Sequence, residues 1–265
     1  MISLLFLKLG GSLITEKDRP HTHRPEVLAR LSDEIATALS VSPNLRLLIG
    51  HGSGSFGHVA AQKYHTRDGV TSEADWKGFA EVWHEARALN QIVIEALYHA
   101  GVPVIAIPPS AMMLARDGTP AGWEIHVLES ALQAGLVPVV NGDVVFDTER
   151  GGTILSTEDV FSVLAFALSP KRILLAGIET GVYSDFPACL HRIEHLTAAT
   201  FGSYVKGIGG SASVDVTGGM RQKVELMLHL TTQVPGLEAL IFSGMEPDNV
   251  RIALEGGVIG TRITH

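Results

Sequence analysis

Short apolar runs of strand length alternate with longer helix-like stretches from Leu4 to Thr261, and few architectures accommodate that alternation. Buried parallel strands read as continuous apolar runs, and the helices between them cover both faces of the sheet. Residues 4–9, 45–49, 102–107, 137–140, 172–176, 237–241 and 258–261 are read as strands. Pro25 is placed to open a helix to about Leu39, since its fixed φ suits a first helical turn. Residues 74–100 form the longest helical stretch, with Phe79, Val82, Trp83, Ala86, Leu89, Ile92, Val93, Ala96 and Leu97 along one face at i, i+3, i+4 spacing. Shorter helices are expected over 59–64, 127–134, 160–168 and 221–230, a hairpin over 142–153, and a loop or small hairpin over 15–24. Residues 198–211 show no strong period. The expected fold is α/β, an open mostly parallel sheet between two helix layers. It forms one domain over residues 1–265.

The most informative turn is Gly50-His51-Gly52-Ser53-Gly54-Ser55-Phe56-Gly57-His58, between the strand at 45–49 and the next helix. Its four glycines let the backbone take φ > 0 and let a ligand approach the main chain. The first N–H groups of the helix lack intrahelical partners and lie at its positive dipole end, which suits a phosphate. A tight turn alone would not call for two serines and a histidine as well. The loop is neither a P-loop nor a dinucleotide fingerprint, because both the G-K-[ST] ending and the spaced acidic residue are missing.

Composition narrows the classes further. Twenty basic against 28 acidic side chains give a net charge of −8, which argues against nonspecific nucleic-acid binding. The single cysteine, Cys189, cannot form an internal disulfide, and a reducing cytoplasm fits best. Residues 1–7 resemble a short signal core but lack a basic leader and a small-residue cleavage site, so a buried first strand is expected. No apolar run approaches about 18 residues, so no membrane helix is expected. The twelve histidines include no H-x-x-x-H spacing, and no dedicated metal site is expected.

Glycine turns also occur at Gly10-Gly11, Gly177 to Gly181 and Gly218-Gly219, with Lys8, Lys17 and Lys223 nearby. In open α/β sheets such turns converge beyond the carboxyl ends of the strands. Glycine loops with lysines suit phosphoryl transfer, which is mostly positioning and charge neutralisation.

Lys8-Leu9-Gly10-Gly11-Ser12, Asn141-Gly142-Asp143, Leu155-Ser156-Thr157-Glu158-Asp159, Asp215-Val216-Thr217-Gly218-Gly219-Met220 with Lys223, and Gly260-Thr261 together resemble the amino acid kinase superfamily. The resemblance covers essentially the whole chain. Within that superfamily, Gly54 to His58, the following Ala60-Ala61-Gln62-Lys63-Tyr64, and Ile14-Thr15-Glu16-Lys17 are similar to isopentenyl phosphate kinases.

The resemblance implies ATP as co-substrate with Mg²⁺, isopentenyl phosphate as acceptor, and a homodimer. It assigns residues from 1 to about 170 to the acceptor and from about 171 to 265 to the nucleotide. Lys8, Gly10, Gly11 and Ser12 would cradle ATP phosphates, and Lys17 would stabilise the transferring group. Ser53 and Gly54 would offer N–H groups to phosphates, His58 would bond the substrate phosphate, and Thr157 would lie at the substrate. Asp159 would orient the lysines; Ile178, Gly219 and Lys223 would line the nucleotide site. Two departures stand out: Gly177 to Tyr183 lacks the aspartates of many members, and His51 interrupts a glycine triplet. Rival readings are a fosfomycin-type or other small phosphate or phosphonate kinase of this fold, and a nucleotide-binding sensor or storage subunit without catalysis.

Overall fold

The computed structural model describes residues 3–209 and 219–265. Strands β1 (Ser3–Leu9), β2 (Leu45–His51), β3 (Val104–Ala106), β4 (Met113–Arg116), β5 (Thr119–Trp123), β6 (Val137–Asn141), β7 (Asp143–Asp147), β8 (Gly151–Leu155), β9 (Arg172–Gly177), β10 (Val182–Tyr183), β11 (Arg192–Ile193), β12 (His195–Leu196), β13 (Glu238–Ser243) and β14 (Thr261–Ile263) form three sheets. The largest has the order β12-β14-β13-β9-β1-β2-β6-β3. All its pairings are parallel except β13 with β14. A second sheet has the order β5-β4-β7-β8, and β10 pairs with β11.

The helices are α1 (Gly11–Ile14), α2 (Pro25–Val41), α3 (Gly54–Tyr64), α4 (Glu73–His99), α5 (Pro109–Met112), α6 (Ile125–Gln133), α7 (Thr157–Leu168), α8 (Ala198–Tyr204), α9 (Gly219–Gln233) and α10 (Asn249–Leu254). They cover the large sheet in two layers. Successive strand side chains point to opposite faces, and β1 divides accordingly. Leu5, Leu7 and Leu9 pack with Leu28, Leu31 and Ile35 of α2 and Leu89 and Val93 of α4. Phe6 packs on the other side with Phe161 and Leu164 of α7 and Val224 and Met227 of α9. The expected sandwich is therefore the observed architecture.

Several local expectations shift. Helix α3 starts at Gly54 rather than near Val59, so His58 falls beyond its first residues. Hairpin β4–β5 was not expected; its turn is Asp117-Gly118, with φ of 49° and 75°, the dipeptide that favours a two-residue hairpin. The stretch 198–211 holds α8, opened by a Thr197–Thr200 capping box. The last strand lies at Thr261–Ile263, later than expected, and α10 was not expected. Glu34 of α2 caps α10, accepting the N–H groups of Asp248, Val250 and Arg251.

Candidate active site

Strands β1, β2, β6 and β9 end side by side. Register aligns Leu9 with His51 and Ala176, and His51 with Asn141, so the turns after these strands are neighbours. The Gly10 N–H donates to Ala176 O at 2.8 Å, tying the first turn to β9. Gly11 and Gly54 press backbone against backbone: a Cβ on Gly11 would lie 2.6 Å from Gly54 N. Gly54 has φ +51°, and a Cβ there would collide with Thr15 Oγ1. Only glycine meets both demands. Ser12 sits half-buried in α1, Ser53 is the residue before α3 and makes no side-chain cap, and Lys17 lies on the exposed turn after α1. The side chain of His58 lies outside the described residues, as do residues 215–218 of the motif before α9.

Lys8 follows from the packing of β1. It points to the same face as Phe6, two residues earlier, and Phe6 meets Phe161 of α7 with ring centroids 5.1 Å apart. Glu158 lies one turn before Phe161 on the same helix face. The result is an ion pair between Lys8 and Glu158. Lys223 of α9 approaches the same carboxylate, 4.0 Å from Oε1. Burial alone would raise the Glu158 pKa, but the charges of Lys8 and Lys223 overcome it and hold the carboxyl below its usual range.

Asp159, expected to orient the lysines, is engaged at the start of its own helix. Its carboxylate accepts the N–H and hydroxyl of Ser156, while the Ser156 hydroxyl accepts the Asp159 N–H, a complete capping box. Arg67 lies 3.6 Å away. Among the described residues, the acid paired with Lys8 and Lys223 is Glu158. A sequence signal existed: Ser156-x-x-Asp159 is a capping-box spacing, which commits the acid at the third helical position to its own helix. Thr157 is buried, and its hydroxyl donates to His51 O at 2.6 Å, fixing α7 to the end of β2.

His51 is fully buried, with one ring nitrogen 2.9 Å from the Asn90 amide oxygen and the other 3.2 Å from Gly52 O. Burial lowers its pKa against the effect of these two contacts, and Lys8 adds to the lowering. Burial thus favours the neutral ring, which lies between Gly52 and Asn90 and braces the second glycine loop against α4. Of the residues expected to line the nucleotide, Ile178 is exposed just past β9 and Gly219 opens α9 with φ +70°. The closing motif is structural, since Thr261 Oγ1 accepts the Val182 N–H and donates to Ile193 O.

Asp143 accepts the N–H groups of Ser110 at 3.2 Å and Val144 at 2.9 Å, yet burial dominates and pushes its carboxyl up to about 6. A raised carboxyl binds its proton more tightly when folded. Its stabilising effect is complete below the ordinary value of 3.8 and lost as pH rises through about 6. Asp143→Asn should therefore gain on the wild type between about pH 4 and pH 7 by up to about 3 kcal/mol, at ~1.4 per unit. Denaturant unfolding at both pH values measures this; a pH-independent difference between the two proteins contradicts it.

Two glycine loops, a helix start and a shared lysine–carboxylate cluster at the strand ends make a site for moving a phosphoryl group. The chain belongs to the amino acid kinase family, whose model matches residues 3–243. Its relatives narrow the class. It is 35% identical to the isopentenyl phosphate kinase of Methanothermobacter thermautotrophicus over 98% of this chain and 99% of that one. To the isopentenyl phosphate kinase of Methanocaldococcus jannaschii it is 33% identical, over 98% of each. A solved isopentenyl phosphate kinase structure superposes with a TM-score of 0.83 at 32% identity, over 98% of this chain and all of the other.

Proposed function

We propose that this chain transfers the γ-phosphoryl group of ATP to isopentenyl phosphate, giving isopentenyl diphosphate and ADP. The observation that carries this reading is the Lys8–Glu158–Lys223 cluster beside two touching glycine loops, in a chain similar end to end to isopentenyl phosphate kinases. The acceptor is a phosphate monoester oxygen, already anionic near neutral pH, so the reaction needs no strong general base. What must be overcome is the repulsion between two anions brought into line. Lys8, Gly10, Gly11 and Ser12 hold the nucleotide phosphates, with Ile178, Gly219 and Lys223 along the rest of the nucleotide. Ser53, Gly54 and His58 hold the acceptor phosphate near Thr157, and Lys17 neutralises the group in flight.

Mg²⁺ would arrive on the nucleotide's own phosphates and neutralise part of their charge. Among the described residues no group of three His, Cys, Asp or Glu side chains could hold it, and Glu158 is engaged by two lysines. No helix of the described residues is long and apolar enough to cross a membrane. Work in the cytoplasm as a homodimer completes the reading, and the mass in solution tests the dimer. The functional test is ADP release across acceptors. Isopentenyl phosphate should support turnover, whereas turnover with glutamate, aspartate or fosfomycin instead would overturn the proposal.

His58→Ala should raise KM for isopentenyl phosphate and lower kcat/KM by ~10 to 100-fold, because a charge-assisted hydrogen bond contributes about 1.5–3 kcal/mol. ATP affinity should barely change. Collapse of ATP binding with acceptor binding intact would place this loop on the wrong substrate.

The acceptor's five carbons need an apolar wall, and the long helix supplies one only in part. Phe79 and Val82 are buried with Ala60, Val70 and Val144 in a small cluster separate from the two main cores. Trp76 and Phe146 close its rim, each within 6 Å of the Phe79 ring centre. Trp83, expected in the same stripe, is 39% exposed and lies under Arg87. Phe79→Ala should therefore shift preference toward longer prenyl phosphates, with Trp83→Ala as the neutral control. Loss of stability by about 3–5 kcal/mol with an unmoved chain-length ratio would make Phe79 a core residue only.

A further inference from the structure

The Thr15 side chain hydrogen-bonds the two glycine loops to each other. It is fully buried at the end of α1. Its hydroxyl donates to Gly11 O at 2.8 Å, in the first loop, and accepts the Ser55 N–H at 3.0 Å, at the start of the second loop's helix. Its Oγ1 and Cγ2 fill the space that a side chain on Gly54 would need. The same residue begins the excursion that carries Lys17. Thr15 forms a bridge with His23, and its carbonyl accepts Arg24 Nε at 3.1 Å. Ser55 binds the far side of that excursion: its carbonyl accepts the His21 N–H at 3.3 Å, and its hydroxyl donates to Thr22 O at 3.3 Å. Donor loop, acceptor loop and the lysine turn thus share one buried joint.

We propose that Thr15 is a positioning residue that sets the distance between the donor and acceptor phosphate loops, and with it the alignment of the two phosphates. This rests on the phosphotransfer reading above. Each loop keeps its own N–H groups when the hydroxyl is lost, so each ligand should still bind. What is lost is their mutual placement, and a displacement of about 1 Å can lower a rate 10²-fold. The Thr15 side chain is fully buried and bonds backbone groups, so the effect should fall on kcat rather than on either KM.

The test compares Thr15→Val, Thr15→Ala and Thr15→Ser with the wild type, reading kcat, both KM values, the ratio of ADP released to diphosphate formed, and the melting temperature. Valine keeps the shape and removes the hydroxyl; alanine serves if valine does not fold. The expected result for either is a 10 to 100-fold fall in kcat, KM values within about threefold of wild type, and more ADP than diphosphate as water competes for the misaligned phosphoryl group. Serine, which keeps both hydrogen bonds, should restore kcat to within about threefold. A wild-type kcat in the folded valine or alanine variant overturns the proposal, as does a serine variant as impaired as valine. A wild-type protein inactive toward isopentenyl phosphate would instead overturn the functional reading, so the two failures are distinct.

Discussion

Glu158→Gln should lower kcat by ~10²- to 10³-fold and destabilise the fold at the same time. The carboxylate is buried, paired with Lys8 and 4.0 Å from Lys223. Glutamine keeps its size and removes its charge, so the attraction that draws the two ammonium groups to this carboxylate is lost. Removing one partner of a buried pair costs about 3–5 kcal/mol, and misplaced lysines no longer meet the charge that develops during transfer. The folded carboxyl titrates below its usual range, so its stabilising effect is present above the ordinary value of 4.5 and lost as pH falls through the folded value. Glu158→Gln should therefore flatten the acid side of the stability profile. Asp159→Asn is the contrasting variant: it weakens a helix cap by about 1 kcal/mol and should leave kcat within a few-fold. Equal losses of kcat in the two variants would return the lysine-orienting role to Asp159.

Lys17→Ala should produce a comparable loss of rate with a different signature. Lys17 is exposed on the turn between α1 and α2, and the turn is held at both ends through Thr15 and Ser55. A cation that meets the phosphoryl group mainly in the transition state lowers kcat and kcat/KM together when removed, with little change in either KM. Loss of one such contact costs ~10²–10³-fold. Because the side chain is exposed, the melting temperature should not move. An unchanged kcat would reduce Lys17 to a solvated loop residue, and a large rise in KM for ATP alone would move it to the nucleotide's ground state.

The sheet and its two helix layers were legible because buried parallel strands leave uninterrupted apolar runs, and α2 and α4 carry clear helical stripes. Residues 4–9 even carried the phase of the site: the parity that buries Phe6 on one face delivers Lys8 to the same face. Short elements were less legible. Hairpin β4–β5 alternates over only a few residues, and the Asp117-Gly118 turn was its single strong signal. Helix α8 buries no side chain, so no stripe announced it.

In the site, glycine turns and lysines could be read from their type and spacing, but the division of labour between Glu158 and Asp159 could not be read from a list of acids. It depends on helix phase and on the capping box that occupies one of them. In the sequence Thr15 stands out only as part of a motif. Its role as a joint depends on two backbone groups, Gly11 O and Ser55 N–H, the second of them 40 residues from Thr15 in sequence. No local pattern encodes that meeting. His51 is similar, since its setting depends on burial against α4 and on a contact with Asn90, 39 residues away.

The most direct test of the account is phosphorus NMR of the purified protein with ATP, Mg²⁺ and isopentenyl phosphate. The account predicts that the monoester resonance disappears, that a pair of coupled diphosphate resonances replaces it, and that ADP accumulates in equal amount. An unchanged monoester resonance, with ATP intact or hydrolysed to free phosphate, would contradict it.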